Sequence, residues 1–153
     1  MKIVIHPWSR KLRNGNNNPK NFPYWKELVS LLEKDGHELI QIGEEGEEQL
    51  VSDFRKGLPF RDLKDLAKQC DTWIAVDSFF QHLAWRIGKK GIVLFGQSNP
   101  RIFGHPENIN LYAGERYFRA WQYGTWEECD YIKEAFVKSE TVIENINKIK
   151  DVA

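Results

Sequence analysis

Few cysteines, few histidines and no excess of either charge remove several functions from this sequence before any motif is considered. Cys70 and Cys129 form no CxxC pair, so the chain has neither a disulfide framework nor a zinc-binding cysteine motif. His6, His37, His82 and His105 are scattered and none belongs to an HExxH arrangement, which leaves no metal centre in view. Lys plus Arg and Asp plus Glu both number 22, so no global field draws the protein to nucleic acid or to an anionic membrane. The longest apolar runs, such as Ile92 to Phe95, fall far short of the ~20 residues a membrane span requires. Nothing resembling a secretory leader follows Met1, and with two unpaired cysteines a reducing cytoplasm is the expected setting.

What is present is an alternation of strand and helix signals. The 153 residues match one domain of ~100–200 residues, long enough to bury a core without staples. Lys2 to His6 reads as a strand feeding a long polar loop from Trp8 to Asn21. Trp25, Leu28, Val29, Leu31 and Leu32 then recur at helical spacing after Pro23, and Gly36 closes that helix. His37 to Ile42 is a second strand, Gly43 to Glu48 an acidic turn, and Leu63, Leu66 and Ala67 mark a second helix ending before Cys70. Thr72 to Val76 and Gly91 to Phe95 are continuous apolar strands flanking a helix over Ser78 to Ile87, a βαβ unit. A short strand at Ile109 to Tyr112 and closing helices over Thr125 to Phe136 and Ser139 to Ile149 complete the reading, with Ser139 as N-cap of the last. Apolar rather than alternating strands imply an α/β, Rossmann-like fold with a mainly parallel sheet covered on both faces.

Ligands of open parallel sheets collect beyond the carboxyl ends of the strands, so the residues just after each strand are the candidates. The turn Val76-Asp77-Ser78-Phe79-Phe80-Gln81-His82 passes directly from strand to helix. Unpaired N–H groups at that helix start suit a pyrophosphate, Asp77 would face a sugar hydroxyl, and His82 would lie one turn further on. The plainer alternative makes Asp77 an N-cap and His82 a satisfied structural histidine. The loop before the first helix offers Arg10, Lys11, Arg13, Asn16, Asn17, Asn18 and Lys20 to phosphate or ribose, or is merely solvated. Carboxylates of the acidic turn can accept a ribose diol, or are a solvated charge run. After the Gly91 to Phe95 strand, Gly96 allows close backbone approach, and Ser98 or Asn99 can reach a ligand, although a Gly-Pro turn needs no function. The six tryptophans, Trp25, Trp73 and Trp85 among them, fit a core better than sugar platforms.

Three blocks in order, residues 18 to 43, 70 to 100, and the helix opening SETVIENI at Ser139, resemble the C-terminal, donor-binding half of family nine glycosyltransferases, the heptosyltransferase group that uses ADP-heptose. The resemblance implies a GT-B-type half holding a nucleotide-diphosphate sugar, with ADP-sugars favoured. It assigns donor phosphates to Lys20, and diphosphate and sugar to Asp77, Ser78, the Phe79 backbone and His82. It gives the ribose to Glu47 or Glu48, and leaves Gln97 and Ser98 as secondary candidates. No metal or other cofactor is implied. Two departures stand out. Phe79 occupies a place where many members have glycine, which alters the pocket beside the diphosphate. The family's acceptor site and catalytic base belong to a preceding domain, so transfer would need a partner chain or a second copy to supply them. Without one, the chain would bind or sequester an ADP-sugar or an ADP-ribose-like nucleotide.

Overall fold

Strand β1 (Lys2–His6) is buried over four of its five residues, and the sheet grows outward from it on both sides. β2 (Glu38–Gly43) and β4 (Thr72–Val76) pair with it in parallel, Val4 lying opposite Ile40 on one side and Trp73 on the other. The computed structural model, which describes residues 1–152, continues the sheet with β3 (Phe54–Lys56), β5 (Ile92–Leu94) and β6 (Ile109–Leu111), all parallel, in the order β3-β2-β1-β4-β5-β6.

Successive strand residues point to opposite faces, and both faces here are apolar. Ile3, Ile5, Ile74 and Val76 meet Trp25, Leu28 and Leu32 of α1 (Trp25–Lys34) and Val142 and Ile146 of α5 (Ser139–Val152). Val4, Ile40, Ile42, Trp73 and Ala75 meet Leu63 and Leu66 of α2 (Phe60–Gln69) and Phe80 and Ala84 of α3 (Phe79–Arg86). Each fully buried aliphatic or aromatic side chain contributes roughly 1.5–3 kcal/mol over its exposed state. Two such layers therefore hold the strand ends in fixed register. Gly36, at φ 83°, ends α1 in the left-handed conformation that glycine adopts without a Cβ penalty.

The α/β class, the parallel sheet and most elements follow the sequence reading, and three points correct it. The expected helix over Thr125 to Phe136 is two single 3₁₀ turns, Trp126–Glu128 and Lys133–Ala135, with Cys129 and Ile132 extended. Its residues are drawn to different neighbours. Trp126 lies under the Arg119 guanidinium, Tyr131 donates its hydroxyl to Asn21 O, and Ala135 O accepts from Ala113 N. These tertiary contacts override a weak helical preference. Ser139 lies inside α5, its buried hydroxyl donating to Tyr24 O, so it is no N-cap. Trp25 and Trp73 are core, but Trp85 is 41% exposed and stacks on His105. β3, three residues long and mostly exposed, carried too little apolar signal to be read.

Candidate functional site

The chain leaves β1 toward β2 and β4 toward β5, so connections diverge on either side of the β1–β4 pair, and a crevice opens beyond their carboxyl ends. A cavity of about 390 Å³ lies there, with Lys20, Glu47, Asp77, Ser78 and Phe79 among its lining residues.

The turn from β4 into α3 supplies one wall. Asp77 is 5% exposed. Its Oδ1 accepts from Gln81 Nε2 at 2.8 Å, and its Oδ2 lies 3.6 Å from Lys20 Nζ. Ser78, not Asp77, holds the N-cap position, with extended backbone, yet no side chain caps the helix. The Ser78 hydroxyl donates to Val76 O and meets His6 Nδ1 at 2.8 Å. The first turn of α3 thus has no side-chain cap, and Ser78 and Phe79, at the positive end of its dipole, line the cavity. His6 itself is buried, and that burial pushes its imidazole down to about 4. The ring is neutral at pH 7, and its Nδ1 is hydrogen-bonded to Ser78 Oγ. Phe79 is half-exposed and packs edge-on against His6 and Phe60, so an aromatic ring fills space beside the turn.

The loop from Trp8 to Asn21 forms the opposite wall and is firmly tied. Arg10 makes a two-pronged pair with Glu127 at 2.9 and 3.0 Å, and Arg13 N and Asn14 Nδ2 bond the same residue. These contacts hold the Glu127 carboxyl down to about 2. Asn18 is buried, its Nδ2 donating to Arg10 O and its Oδ1 accepting from Lys20 N, while Asn17 Oδ1 accepts from Asn21 Nδ2. Their amides thus shape the loop, which carries Lys20 to Asp77. Lys11, Asn16 and Asn17 line a second hollow beneath the loop instead.

Of the two acidic candidates, Glu47 lines the cavity. Its carboxylate accepts from Glu44 N and stands against Gly43, where a Cβ would overlap it. Burial raises its carboxyl above the usual range. Glu48 lies outside this cavity; its carboxylate pairs with Lys26 at 3.2 Å, and its backbone carbonyl accepts from Trp8 Nε1 and Gln41 Nε2.

The remaining candidates fall elsewhere. His82 is exposed and lines no part of this cavity; its Nδ1 lies 2.7 Å from His105 Nε2. Gln97 is buried and spent on Asp130 O and Cys129 Sγ. Asn99 caps the short α4 (Pro100–Phe103) by accepting from Arg101 N. The space a Cβ would need at Gly96 is taken by the Phe136 ring, so that glycine makes room for core rather than ligand. Ser98 lines a smaller adjoining cavity. Among the described residues, no three His, Cys, Asp or Glu side chains converge on a cation-sized point, and no helix is long and apolar enough to cross a membrane.

Sequence reasoning missed His6, Arg55 and Trp126, all of which line the main cavity. His6 ends β1, so the rule that singled out Asp77 also points to it. Arg55 stands on the unread strand β3, and Trp126 in the segment misread as helix.

No curated protein sequence matches the chain significantly. Among solved structures, the family 9 glycosyl transferase from Veillonella parvula superposes with a TM-score of 0.73 at 16% identity, over 99% of this chain and 46% of that one. The dodecameric iron-containing heptosyltransferase TibC, in complex with ADP-D-β-D-heptose, gives 0.71 at 15% identity, over 98% and 45%. The E. coli heptosyltransferase WaaC with ADP gives 0.64 at 13% identity, over 95% and 43%. The chain therefore spans less than half the length of each of these structures, and at such identities the likeness speaks for the fold. The model for glycosyltransferase family 9 (heptosyltransferase) matches residues 2–117, three quarters of the sequence, and the chain belongs to that family.

Proposed function

We propose that the chain binds a nucleotide-diphosphate sugar, an ADP-sugar by preference, in the crevice beyond β1 and β4. The observation that carries the reading is the meeting of Lys20 with Asp77 at an uncapped helix start. The α3 amides and the Lys20 ammonium form a site for a diphosphate without any metal. The same groups would stabilise a leaving diphosphate as its glycosidic bond breaks, because their charge is fixed before the reaction. In this reading Glu47 accepts from the ribose hydroxyls, and Asp77 Oδ2 from a sugar hydroxyl once Lys20 turns to the phosphates. His82, held by His105, would join the donor only by leaving that partner.

Transfer to an acceptor would draw its base and acceptor site from a partner chain or a second copy. The second reading is binding or sequestration without transfer. It is favoured by the state of the carboxylates here: Asp77 is engaged by Lys20 and Gln81, and Glu47 by a backbone amide, leaving neither as an unencumbered base. Cys70 and Cys129 are both free thiols, which suits a reducing, cytoplasmic setting. The test is a thermal-shift panel of ADP, UDP, GDP and CDP with and without attached sugars, on wild type and Asp77→Ala. A ligand at 100 times its Kd adds about 2.7 kcal/mol, so a shift of several degrees with a nucleotide sugar that the substitution weakens, through the lost contact to a sugar hydroxyl, supports the site. No shift with any nucleotide overturns it. Release of free diphosphonucleotide in the presence of acceptor then separates transfer from sequestration.

A further inference from the structure

Gln81 lies in the first turn of α3, and its side chain is wholly buried. A glutamine at the third position of a helix ordinarily turns its oxygen back to the backbone N–H of the capping residue. Gln81 does not. Its Nε2 donates to Asp77 Oδ1 at 2.8 Å, while its Oε1 is buried and has no hydrogen-bond partner. Asp77 fixes which way the amide faces, because the reversed amide would set two oxygens against each other. A glutamine kept for packing alone would have both ends satisfied, and an apolar side chain of similar length would fill the place without an orphaned acceptor. Here one end is left unpaired and the other is given to a single carboxylate oxygen. That bond occupies Oδ1 and leaves Oδ2 to Lys20, 3.6 Å away. Of the two partners, only Lys20 is free to move: its side chain is 23% exposed and carries its charge on a flexible stem.

We infer that Gln81 is a positioning residue, which holds the Asp77 carboxylate in one orientation and compensates its charge while Lys20 changes partners from Asp77 to a phosphate. The inference rests on the donor-binding reading above, in which the diphosphate draws Lys20 away. A nearly buried carboxylate that loses its ammonium partner is costly. A charge-assisted hydrogen bond from a fixed amide offsets part of that cost. Without the amide, Asp77 would hold Lys20 more firmly, and a diphosphate would have to break a stronger pair. Gln81 is wholly buried, so it acts through Asp77 and not on the ligand.

The experiment is a double-mutant cycle, read by titration calorimetry of the full chain with ADP, on wild type, Gln81→Met, Asp77→Asn and the double variant. Methionine keeps the length of the side chain and removes both the donor and the orphaned acceptor. Gln81→Met is expected to weaken ADP about tenfold in the wild-type background, the scale of one charge-assisted hydrogen bond. In the Asp77→Asn background the same substitution is expected to change ADP affinity by less than about twofold, since no carboxylate remains to be compensated. A merely structural role for Gln81 would weaken ADP equally in both backgrounds, and that result overturns the inference, as does an unchanged affinity in the wild-type background. A second measurement needs only wild type and so does not depend on the variant folding. Nuclear magnetic resonance is expected to show the Gln81 side-chain amide protected from hydrogen exchange both in the free protein and at saturation with ADP. Loss of that protection on binding ADP overturns the inference. Failure of ADP to bind wild type removes the donor-binding reading itself, and the role of Gln81 with it.

Discussion

Lys20 Nζ lies 3.6 Å from Asp77 Oδ2, closing the loop before α1 onto the turn after β4 across the point where the sheet's connections diverge. Asp77 is nearly buried, so its carboxylate depends on that ammonium and on Gln81 for compensation. A bound diphosphate would compete for the same ammonium.

Lys20→Ala is therefore expected to lower ADP affinity by roughly ten- to a hundredfold, the worth of a charge-assisted hydrogen bond of about 1.5–3 kcal/mol. Asp77→Asn is expected to leave ADP affinity unchanged or improved, since it removes a negative charge near the phosphates. Calorimetry at two salt concentrations checks both, and the Lys20 loss should shrink at high salt. Equal losses in the two variants would mean that the pair only supports the loop.

The two carboxylates that the sequence could not separate are separated by their surroundings. Glu47 lines the cavity and is held by Glu44 N, whereas Glu48 pairs with Lys26 on the surface. Glu47→Ala is expected to weaken ADP binding about tenfold, as loss of one hydrogen bond to a charged group implies. Glu48→Ala should change it by less than about twofold, since exposed pairs contribute little. The reverse order would move the ribose into the hollow beneath the loop.

The sheet was legible because its strands are continuous apolar runs, Ile3 to Ile5 and Thr72 to Val76 among them, and such runs are read the same way wherever they pack. The Asp77-Ser78 turn was legible because a strand passing straight into a helix places unpaired amides at a strand's end. Thr125 to Phe136 was not, because its shape is set by partners distant in sequence: Glu127 by Arg10, Tyr131 by Asn21. The same holds for His82, whose exposure and bond to His105 depend on how the turn after α4 is laid down.

Gly96→Ala tests the end of β5 as a packing constraint. A Cβ there would lie 2.6 Å from the Phe136 ring, which is itself buried against Phe22 and Tyr131. The ring has little room to yield, so overpacking of about 1–3 kcal/mol is expected. Urea unfolding should show a lower midpoint with unchanged slope. Because Gly96 faces core, ADP affinity at a temperature where the variant is folded should match wild type. A variant with full stability and impaired binding would return Gly96 to the ligand side.

His6 couples the site to pH. Its imidazole titrates near 4 in the folded protein because burial disfavours the cation, whereas in the unfolded chain an ordinary histidine titrates at about 6.5. Between those values the unfolded state binds more protons than the folded one. Stability from this residue is accordingly complete above about pH 6.5, falls as the pH is lowered toward 4, and changes no further below it. The full effect is on the order of 3 kcal/mol, from about 1.4 kcal/mol per pH unit. His37 and His82 are also shifted down by burial and act in the same direction, so wild type alone cannot isolate His6. His6→Asn, whose amide can still hydrogen-bond Ser78 Oγ in either direction, removes the titration while keeping the bond. Urea unfolding of both proteins at pH 7.5 and pH 5 should show a smaller loss of stability in the variant. An identical loss in both would place the proton elsewhere and leave His6 a neutral spacer behind Ser78.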